Sequence, residues 1–442
     1  MSAPHVDHVS RLAARLATGD AVVTVIGLGY VGLSLAAGLA RAGFEVHGVD
    51  VDLEKVSRVN RGESYIEDVR SDELGPLVTA GRIRATTGFE CVGGSDVIVI
   101  CVPTPLRKSK EPDISYIIGA LDAITPRLRP GQLVILESTT YPGTTEEVLQ
   151  PRFESRGFTI GQEIFLAFSP ERVDPGNRTF TTANIPKVVG GTTMACTDLA
   201  AAMYAKVTSR VHRVSSPRAA ETAKLLENTF RSVNIGLANE IALACRAIGV
   251  DPWEVIDAAA TKPFGYMAFY PGPGTGGHCI PLDPLYLSWK VRMNGFETRF
   301  IALADEINRS MPRHVVSLVA DALNDRGHCV RGANVLVLGV SYKRDVGDVR
   351  ESPALEVIRM LEDKGAHVSY GDPYVPELHA EGIKLSAVPV TAETLAACDC
   401  AVVVTDHRAF DYTLIATEAP AIVDVRNALA QVRGARAHVV SL

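Results

Sequence analysis

The chain has 442 residues, 47% of them hydrophobic and 21% charged, with a formal net charge of −7. That length exceeds one ordinary core and predicts two or three domains, while the acidic balance argues against a general nucleic-acid or bilayer surface, so any bound phosphate must be met by local groups. The eight cysteines form no Cys-x-x-Cys pair and are too few in so long a chain for a disulfide scaffold, which suits a reducing cytoplasm; the N-terminus lacks the apolar core of a signal peptide, and no run is long enough to span a bilayer.

A short amphipathic helix is expected ahead of a first strand at 21–26. That strand meets Gly27-Leu28-Gly29-Tyr30-Val31-Gly32, followed by an Ala- and Leu-rich helix to residue 42 and a second strand, 45–49, ending in Asp50. Strand, Gly-rich turn, helix, strand and an acid about twenty residues on make up the dinucleotide fingerprint. Gly27 permits the tight turn, Gly29 lets backbone approach a pyrophosphate, and Gly32 allows close helix–strand packing. The helix N-terminus then offers unpaired N–H groups. Asp50 suits a ribose 2′-hydroxyl and would repel a 2′-phosphate, favouring NAD over NADP. The competing reading is a Gly-rich turn that holds no ligand.

Strands at 96–102 and 133–137 follow, each ending in a polar turn. Thr104, Ser138 and Thr139 therefore sit where an open parallel sheet binds ligands, with helix capping as the alternative; for Thr144 and Thr145, before Glu146 and Glu147, capping is the expectation. A strand at 164–168 runs into Ser169-Pro170-Glu171, whose carboxylate either enters a cleft or decorates a surface turn. Ser216-Pro217 caps a helix running to about residue 248. Lys224, Asn228 and Arg231 form a polar face expected to be solvated, Leu225, Leu226, Val233, Leu237, Ile241 and Leu243 cover much of the rest, and the helix is a candidate spine and dimer contact. Asp251-Pro252 with Glu254 predicts the start of the next helix.

The run FYPGPGTGGHCIPLD at 269–283 is too rich in Gly and Pro for a regular element and reads as a shaped loop. Cys279, set among small residues, is open to attack a substrate, unless the loop is a tight turn with an incidental thiol. A zinc site at His278-Cys279 lacks companions at ligand spacing, so no metal is expected. After further helical pattern, a strand at 333–340, a helix to 364 and a strand at 367–370 ending in Gly371-Asp372 repeat the first βαβ pattern without its glycine triplet. The turn instead carries Lys343, Arg344 and Arg350, groups suited to a nucleotide phosphate; strands at 400–405 and 421–425, the latter before Arg426, complete the half. The expected fold is α/β, with two Rossmann-like doubly wound parallel-sheet domains, 1–210 and 326–442, joined by a central helical domain, 211–325. A thiol between two nucleotide-binding halves implies an oxidation that passes through an aldehyde, captured as a thiohemiacetal, to a thioester and an acid.

The motifs GLGYVG, CVPTP, ESTTYPGTT, FSPERVDPGN, AKLLENTFRSVNIGLANE, PGPGTGGHCIPLDP and GVSYKRDVGDVRESPA together resemble the UDP-glucose/GDP-mannose dehydrogenase family from about residue 21 to 426. The resemblance implies oxidation of C6 of a UDP-sugar to a uronic acid with two NAD⁺; the long central helix is the basis for expecting a homodimer or higher homo-oligomer. It implies Cys279 as nucleophile, Lys224 and Asn228 at the oxyanion, Asp283 and Thr139 at the hydrolytic water, and Glu171 as an acid/base group. It implies NAD contacts at Gly27, Gly29, Tyr30, Val31, Gly32, Asp50, Lys55, Thr104, Thr139 and Arg350. Substrate contacts implied in the same way are Glu171, Lys224, Asn228, Tyr270, Gly272, Gly274, Gly276, Lys343 and Arg426. Residues 262–290 resemble the branch acting on UDP-N-acetylated hexosamines, with UDP-N-acetylglucosamine expected ahead of UDP-N-acetylmannosamine or UDP-glucose. Thr275 and Pro175 stand where branches differ. The alternative from another class is a non-catalytic NAD-binding regulator, which would be expected to lack one of Lys224, Asn228, Cys279 or Asp283; all four are present.

Overall fold

The computed structural model describes residues 7–66, 68–107, 111–173, 179–181 and 183–442; Pro175 lies outside them. The chain divides into two compact units, Met1–Glu227 with Leu285–Gly295, and Asn228–Pro284 with Phe296–Leu442.

The first unit is built on an eight-stranded sheet: β1 (Val22–Ile26), β2 (Glu45–Val49), β3 (Ile83–Thr86), β4 (Val97–Ile100), β5 (Gln132–Leu136), β6 (Ile164–Phe168), β7 (Lys187–Gly191) and β8 (Val211–Val214). Their order is β3-β2-β1-β4-β5-β6-β7-β8, so the chain changes direction across the sheet between β1 and β4, opening a crevice at the carboxyl ends of those strands. β4, β5 and β6 are buried at every position, the signature of a sheet covered on both faces. The N-terminal helix, His8–Thr18, is amphipathic as expected, burying Leu12 and Leu16. Strand ends differ from the sequence expectation by a residue or two, because apolar runs continue past the last ladder hydrogen bond.

One pairing departs from the parallel pattern. β7 runs antiparallel to β6, with Phe168 opposite Gly190. A reversed strand brings its first residue, not its last, to the carboxyl edge of the sheet. Lys187 therefore stands at that edge, and continuing the register places it opposite Glu171.

The helix Pro217–Ile248 passes from the first unit to the second between Glu227 and Asn228. Its start is as expected, the Ser216 hydroxyl accepting from the Ala219 N–H at 3.2 Å. Of the polar face expected to be solvated, Arg231 is exposed but Lys224 and Asn228 are not. Lys224 and Asn228 are only 9% and 6% exposed, whereas Leu226 and Leu237 are 62% and 52% exposed. Asn228 and Glu221 on this helix have buried hydrogen-bond partners, so a polar pattern does not by itself mean a solvated face. Thr145 likewise does not act as a cap. Its hydroxyl and N–H both donate to the buried Glu221 carboxylate, at 2.7 and 3.0 Å, and the Thr144 hydroxyl donates to the Tyr141 carbonyl.

The second unit carries a five-stranded parallel sheet of β9 (Asn334–Leu338), β10 (His367–Gly371), β13 (Cys400–Val403), β14 (Ala421–Asp424) and β15 (His438–Ser441), in the order β10-β9-β13-β14-β15; β11 (Glu377–Ala380) and β12 (Ile383–Ser386) form a separate hairpin. The helices Arg299–Asn324 and Pro353–Asp363 contribute Met311, Val315, Val319, Val357 and Ile358 to its core. The expected 269–283 loop is shorter than foreseen, because a helix spans Cys279–Arg292. Pro281 falls in its first turn, where no N–H is needed for the ladder, while Pro284 lies inside the helix and removes one ladder hydrogen bond. Among the described residues no helix is long and apolar enough to cross a membrane.

Candidate active site

In the first unit, Gly27 has φ +89, and a Cβ there would lie 2.5 Å from the Cys101 carbonyl oxygen. A Cβ on Gly32 would lie 1.8 Å from the Gly27 oxygen, so the helix can approach the strand only with glycine at that point. Around Gly29, by contrast, a Cβ would meet nothing within 4 Å. Gly29 precedes the helix Tyr30–Arg41 without capping it by a side chain, and Tyr30 and Val31 are half-buried in its first turn. The turn is held through both backbone groups of Leu28. Its N–H donates to Asp50 Oδ2 at 2.8 Å, and its carbonyl accepts from the Tyr65 hydroxyl at 2.5 Å. Asp50 also accepts the Asp52 N–H on Oδ1 at 3.0 Å and has Lys55 Nζ at 3.9 Å. Two of the roughly four lone-pair positions of a carboxylate are thus used. The open space at Gly29, the helix N-terminus and the remaining acceptor capacity of Asp50 fit a dinucleotide. Thr104 is buried, its carbonyl accepting from the Tyr286 hydroxyl at 2.5 Å; Thr139 is half-buried after Ser138.

At the carboxyl edge of the same sheet, Lys187 lies between two carboxylates. Its ammonium pairs with Glu137, the residue after β5, and with Glu171 Oε2 at 3.0 Å. Glu137 Oε2 accepts from the Tyr204 hydroxyl at 3.0 Å, and Glu171 Oε1 accepts the N–H groups of Arg172 and Val173, both at 2.8 Å. Burial pushes Glu137 up to about 7 despite the charge of Lys187. Burial acts the same way on Glu171, but Lys187 and the two N–H groups outweigh it and hold that carboxyl below its usual range.

In the second unit, Cys279 is exposed and opens its helix, and Asp283 follows one turn later. Asp283 is 1% exposed and accepts from Asn228 Nδ2 at 2.5 Å; Lys224 lies one turn before Asn228 on its helix. The loop ahead of Cys279 is clasped at several points. The Gly272 N–H donates to Asn239 Oδ1 at 2.9 Å, and Asn239 is bonded in turn to Asn308. The Gly277 N–H donates to the Arg350 carbonyl at 2.9 Å. A Cβ on Gly272 would lie 2.6 Å from Arg426 Nη1, one on Gly276 2.7 Å from Tyr342 Cβ, and one on Gly274 2.9 Å from the Asn308 oxygen. The glycines are needed because side chains and backbone from outside the loop fill the space a Cβ would take. Tyr270 turns away from this cluster, with its ring stacked on Trp253 and its hydroxyl donating to Asp257 at 2.7 Å.

The turn after β9 repeats the first one. The Val340 N–H donates to Asp372 Oδ2 at 2.7 Å, and the Tyr374 N–H to Asp372 Oδ1 at 2.8 Å. Here a buried His407 also occupies Asp372 Oδ2, through Nε2 at 3.0 Å, while its Nδ1 accepts the Asp345 N–H at 2.9 Å. Arg426 Nε donates to the Val404 carbonyl at 2.9 Å, and desolvation, reinforced by Arg344, lowers the Arg426 guanidinium to about 10. Arg344 pairs with Asp406, the guanidinium of Arg350 pairs with Asp348 of its own loop, and the Lys343 carbonyl accepts from the Ser341 hydroxyl.

Three family models match in succession: the UDP-glucose/GDP-mannose dehydrogenase NAD binding domain over residues 21–208, its central domain over 218–310 and its UDP binding domain over 336–431. The chain belongs to the UDP-glucose/GDP-mannose dehydrogenase family. It is thus an NAD-dependent nucleotide-sugar dehydrogenase. It is 36% identical to a UDP-N-acetyl-D-mannosamine dehydrogenase of Methanococcus maripaludis, over 88% of this chain and 86% of that protein. It is 33% identical to a UDP-N-acetyl-D-glucosamine 6-dehydrogenase of Pseudomonas aeruginosa, over 88% and 92%. The solved UDP-D-ManNAc dehydrogenase of Pyrococcus horikoshii superposes with a TM-score of 0.87 at 32% identity, covering 95% of this chain and 99% of that one.

Within this family member, sequence reasoning did not single out Glu137, Lys187, Glu221 or Tyr65. Lys187 begins an otherwise apolar strand and resembles any edge lysine. Only the reversal of β7 shows where it points. Glu137 stands inside the ESTT motif, and a carboxylate directly after a fully apolar strand was the available signal.

Proposed function

We propose that this dehydrogenase oxidises the C6 hydroxymethyl of a UDP-N-acetylhexosamine to a carboxylate, with Cys279 as nucleophile. The observation that carries the reading is the exposed Cys279 at a helix start, one turn ahead of a buried Asp283 held by Asn228. Amide groups at a helix N-terminus favour an anionic sulfur. NAD, held at Gly27, Gly29, Gly32 and Asp50, supplies the hydride acceptor for both oxidations. The alcohol first loses a proton and a hydride to become an aldehyde. The Cys279 sulfur adds to that carbon, giving a thiohemiacetal whose oxyanion Lys224 and Asn228 stabilise. Loss of a second hydride leaves a thioester. Water oriented by Asp283, with Thr139 as the second group proposed there, then adds, the C–S bond breaks, and sulfur departs as thiolate.

UDP is assigned to the second unit, with Lys343 and Arg426 as the cations for its phosphates, and the chain is read as three domains, 1–210, 211–325 and 326–442. Residues 262–290 support an N-acetylated hexosamine, with UDP-N-acetylglucosamine first. The 36% identity to the M. maripaludis protein favours UDP-N-acetylmannosamine as a second reading. Both rest on the same C6 chemistry. An NADH-stoichiometry assay over UDP-N-acetylglucosamine, UDP-N-acetylmannosamine and UDP-glucose decides among them, with two NADH per sugar expected. Cys279→Ser should stop short of the acid, and full acid formation by that variant would overturn the covalent route. Absence of NADH with every sugar would favour a non-catalytic NAD-binding protein.

Leu226, Phe230, Leu237 and Ile241 make an apolar stripe at helical spacing on Pro217–Ile248, between 37% and 62% exposed. We assign this stripe to a homodimer contact. Light scattering after size exclusion should give twice the chain mass, and a monomer would refute the assignment.

A further inference from the structure

A lysine buried between two glutamates, only one of which the family resemblance implies as an acid/base group, calls for a reason. Lys187 is 6% exposed, Glu137 0% and Glu171 16% by side chain. A buried ion pair is rarely retained for stability alone, because desolvating the charges offsets most of their attraction. The geometry instead has a direction. Glu137 is closed off on its far side by the Tyr204 hydroxyl and, at 3.9 Å, the Cys101 thiol. Glu171 sits at the outer end, with Oε1 on two backbone N–H groups and Oε2 on Lys187. The neighbouring Arg172 guanidinium is engaged by Glu227 instead, at 2.6 Å. Lys187 is therefore the one cation among the described side chains paired with Glu171.

We propose that Lys187 is a positioning residue that fixes Glu171 in its anionic form, so that Glu171 serves the reaction as a base and hydrogen-bond acceptor and not as an acid, with Glu137 as the buried counter-charge that sets how much of the lysine's field Glu171 receives. The inference rests on the C6 oxidation proposed above and gives it a definite role for Glu171, which the resemblance implies only as an acid/base group. In the hydride-transfer steps Glu171 accepts a proton or hydrogen bond from the sugar or from water; in thioester hydrolysis it can take the proton that the attacking water releases. Neither step requires it to arrive protonated.

The directions of the titrations agree. Lys187 is held charged because Glu137 and Glu171 outweigh the penalty of burial, and Glu171 is held ionised. Burial lifts Glu137 to about 7, so it gains a proton as the pH falls through neutrality, while Tyr204 and Cys101 are pushed up and stay protonated. Protonation of Glu137 removes a neighbouring anion and leaves Lys187 to Glu171 alone, which makes Glu171 a weaker base.

The test is the pH profile of kcat and kcat/KM for the full-length enzyme, taken with whichever UDP-sugar yields two NADH. Lys187→Met removes the cation, so the acid limb belonging to Glu171 should move up by on the order of one pH unit or more, with kcat down by about 100-fold and KM little changed. Glu137→Gln removes the competing anion, so the same limb should move down. Lys187→Arg should return the limb toward its wild-type position. Opposite displacements are the expected result. Profiles that do not move, or that move the same way in both variants, overturn the proposal. If Lys187→Met does not fold, the downward shift in Glu137→Gln and the near-normal limb in Lys187→Arg decide it. A wild-type enzyme that makes no acid defeats the underlying reaction instead, and so the two failures are told apart.

Discussion

The turn after β1 and the turn after β9 are two versions of one device. Gly27 and Gly339 both have positive φ, +89 and +80, and a Cβ on either would strike a carbonyl oxygen, of Cys101 at 2.5 Å or of Thr405 at 2.4 Å. The next residue donates its N–H to an aspartate at the end of the neighbouring strand, Leu28 to Asp50 and Val340 to Asp372. Each aspartate steadies its own following turn with its other oxygen. What differs is what fills the remaining space. In the first unit the helix begins beside an empty Gly29, and Asp50 has a cation only at 3.9 Å. In the second, His407 closes Asp372 and arginines supply the positive charge. The fold provides the turn. The side chains admitted around it differ, leaving open backbone and a carboxylate in one turn and cations in the other, the difference on which the proposed NAD and UDP sites rest.

The comparison breaks most visibly at Gly32. A Cβ 1.8 Å from a backbone oxygen cannot be relieved by a side-chain rotation. Gly32→Val should abolish NAD binding and cost more than the about 1–3 kcal/mol typical of overpacking, while UDP binding persists. Isothermal titration with each nucleotide measures both, and loss of UDP binding alongside NAD would show the two turns to be coupled. His407→Ala should act on the other side, destabilising by about 3 kcal/mol through a cavity and a buried carboxylate deprived of a partner. Its melting curve should fall, with NAD affinity retained. A smaller effect is expected from Asp50→Asn, where the amide keeps one acceptor but loses the charge. NAD should bind about tenfold more weakly, a loss of about 1.4 kcal/mol. An unchanged affinity would mean that Asp50 serves only the Leu28 N–H.

The smallest effect is a matter of pH. Burial tends to raise the Asp372 carboxyl, but His407 and the N–H groups of Val340 and Tyr374 bring it below its ordinary value. Its contribution to stability is therefore complete above the unfolded carboxylate value of about 3.9 and is lost as the pH falls through the lower folded value. Melting temperature plotted against pH should show an acid limb that Asp372→Asn flattens.

Much of this was legible in the chain. The strands at 45–49 and 164–168 match the observed bounds, and the 216–248 helix begins and ends where Ser216-Pro217 and Gly249 place it. These features are local: a glycine at positive φ, a proline in a first turn and an apolar β-branched run act through neighbouring residues. The burial of Lys224 and Asn228 on that helix was not foreseen, because an amphipathic pattern does not say whether a polar side chain has a buried partner. The start of a helix at Cys279 was missed because proline density counts against a helix, whereas here Pro281 falls in the first turn and Pro284 is accommodated inside it.

By itself the sequence determined the two βαβ halves, the dinucleotide turn, the exposed cysteine and the family, since each depends on residue type at short spacing. Only the tertiary structure decided that Asn228 holds Asp283, that Glu221 grips the 143–145 turn, and that a reversed strand carries Lys187 to a point between Glu137 and Glu171. Those partners lie from 16 to 78 residues apart. Pairing across such separations is set by strand order and helix packing, which single positions in a sequence do not encode.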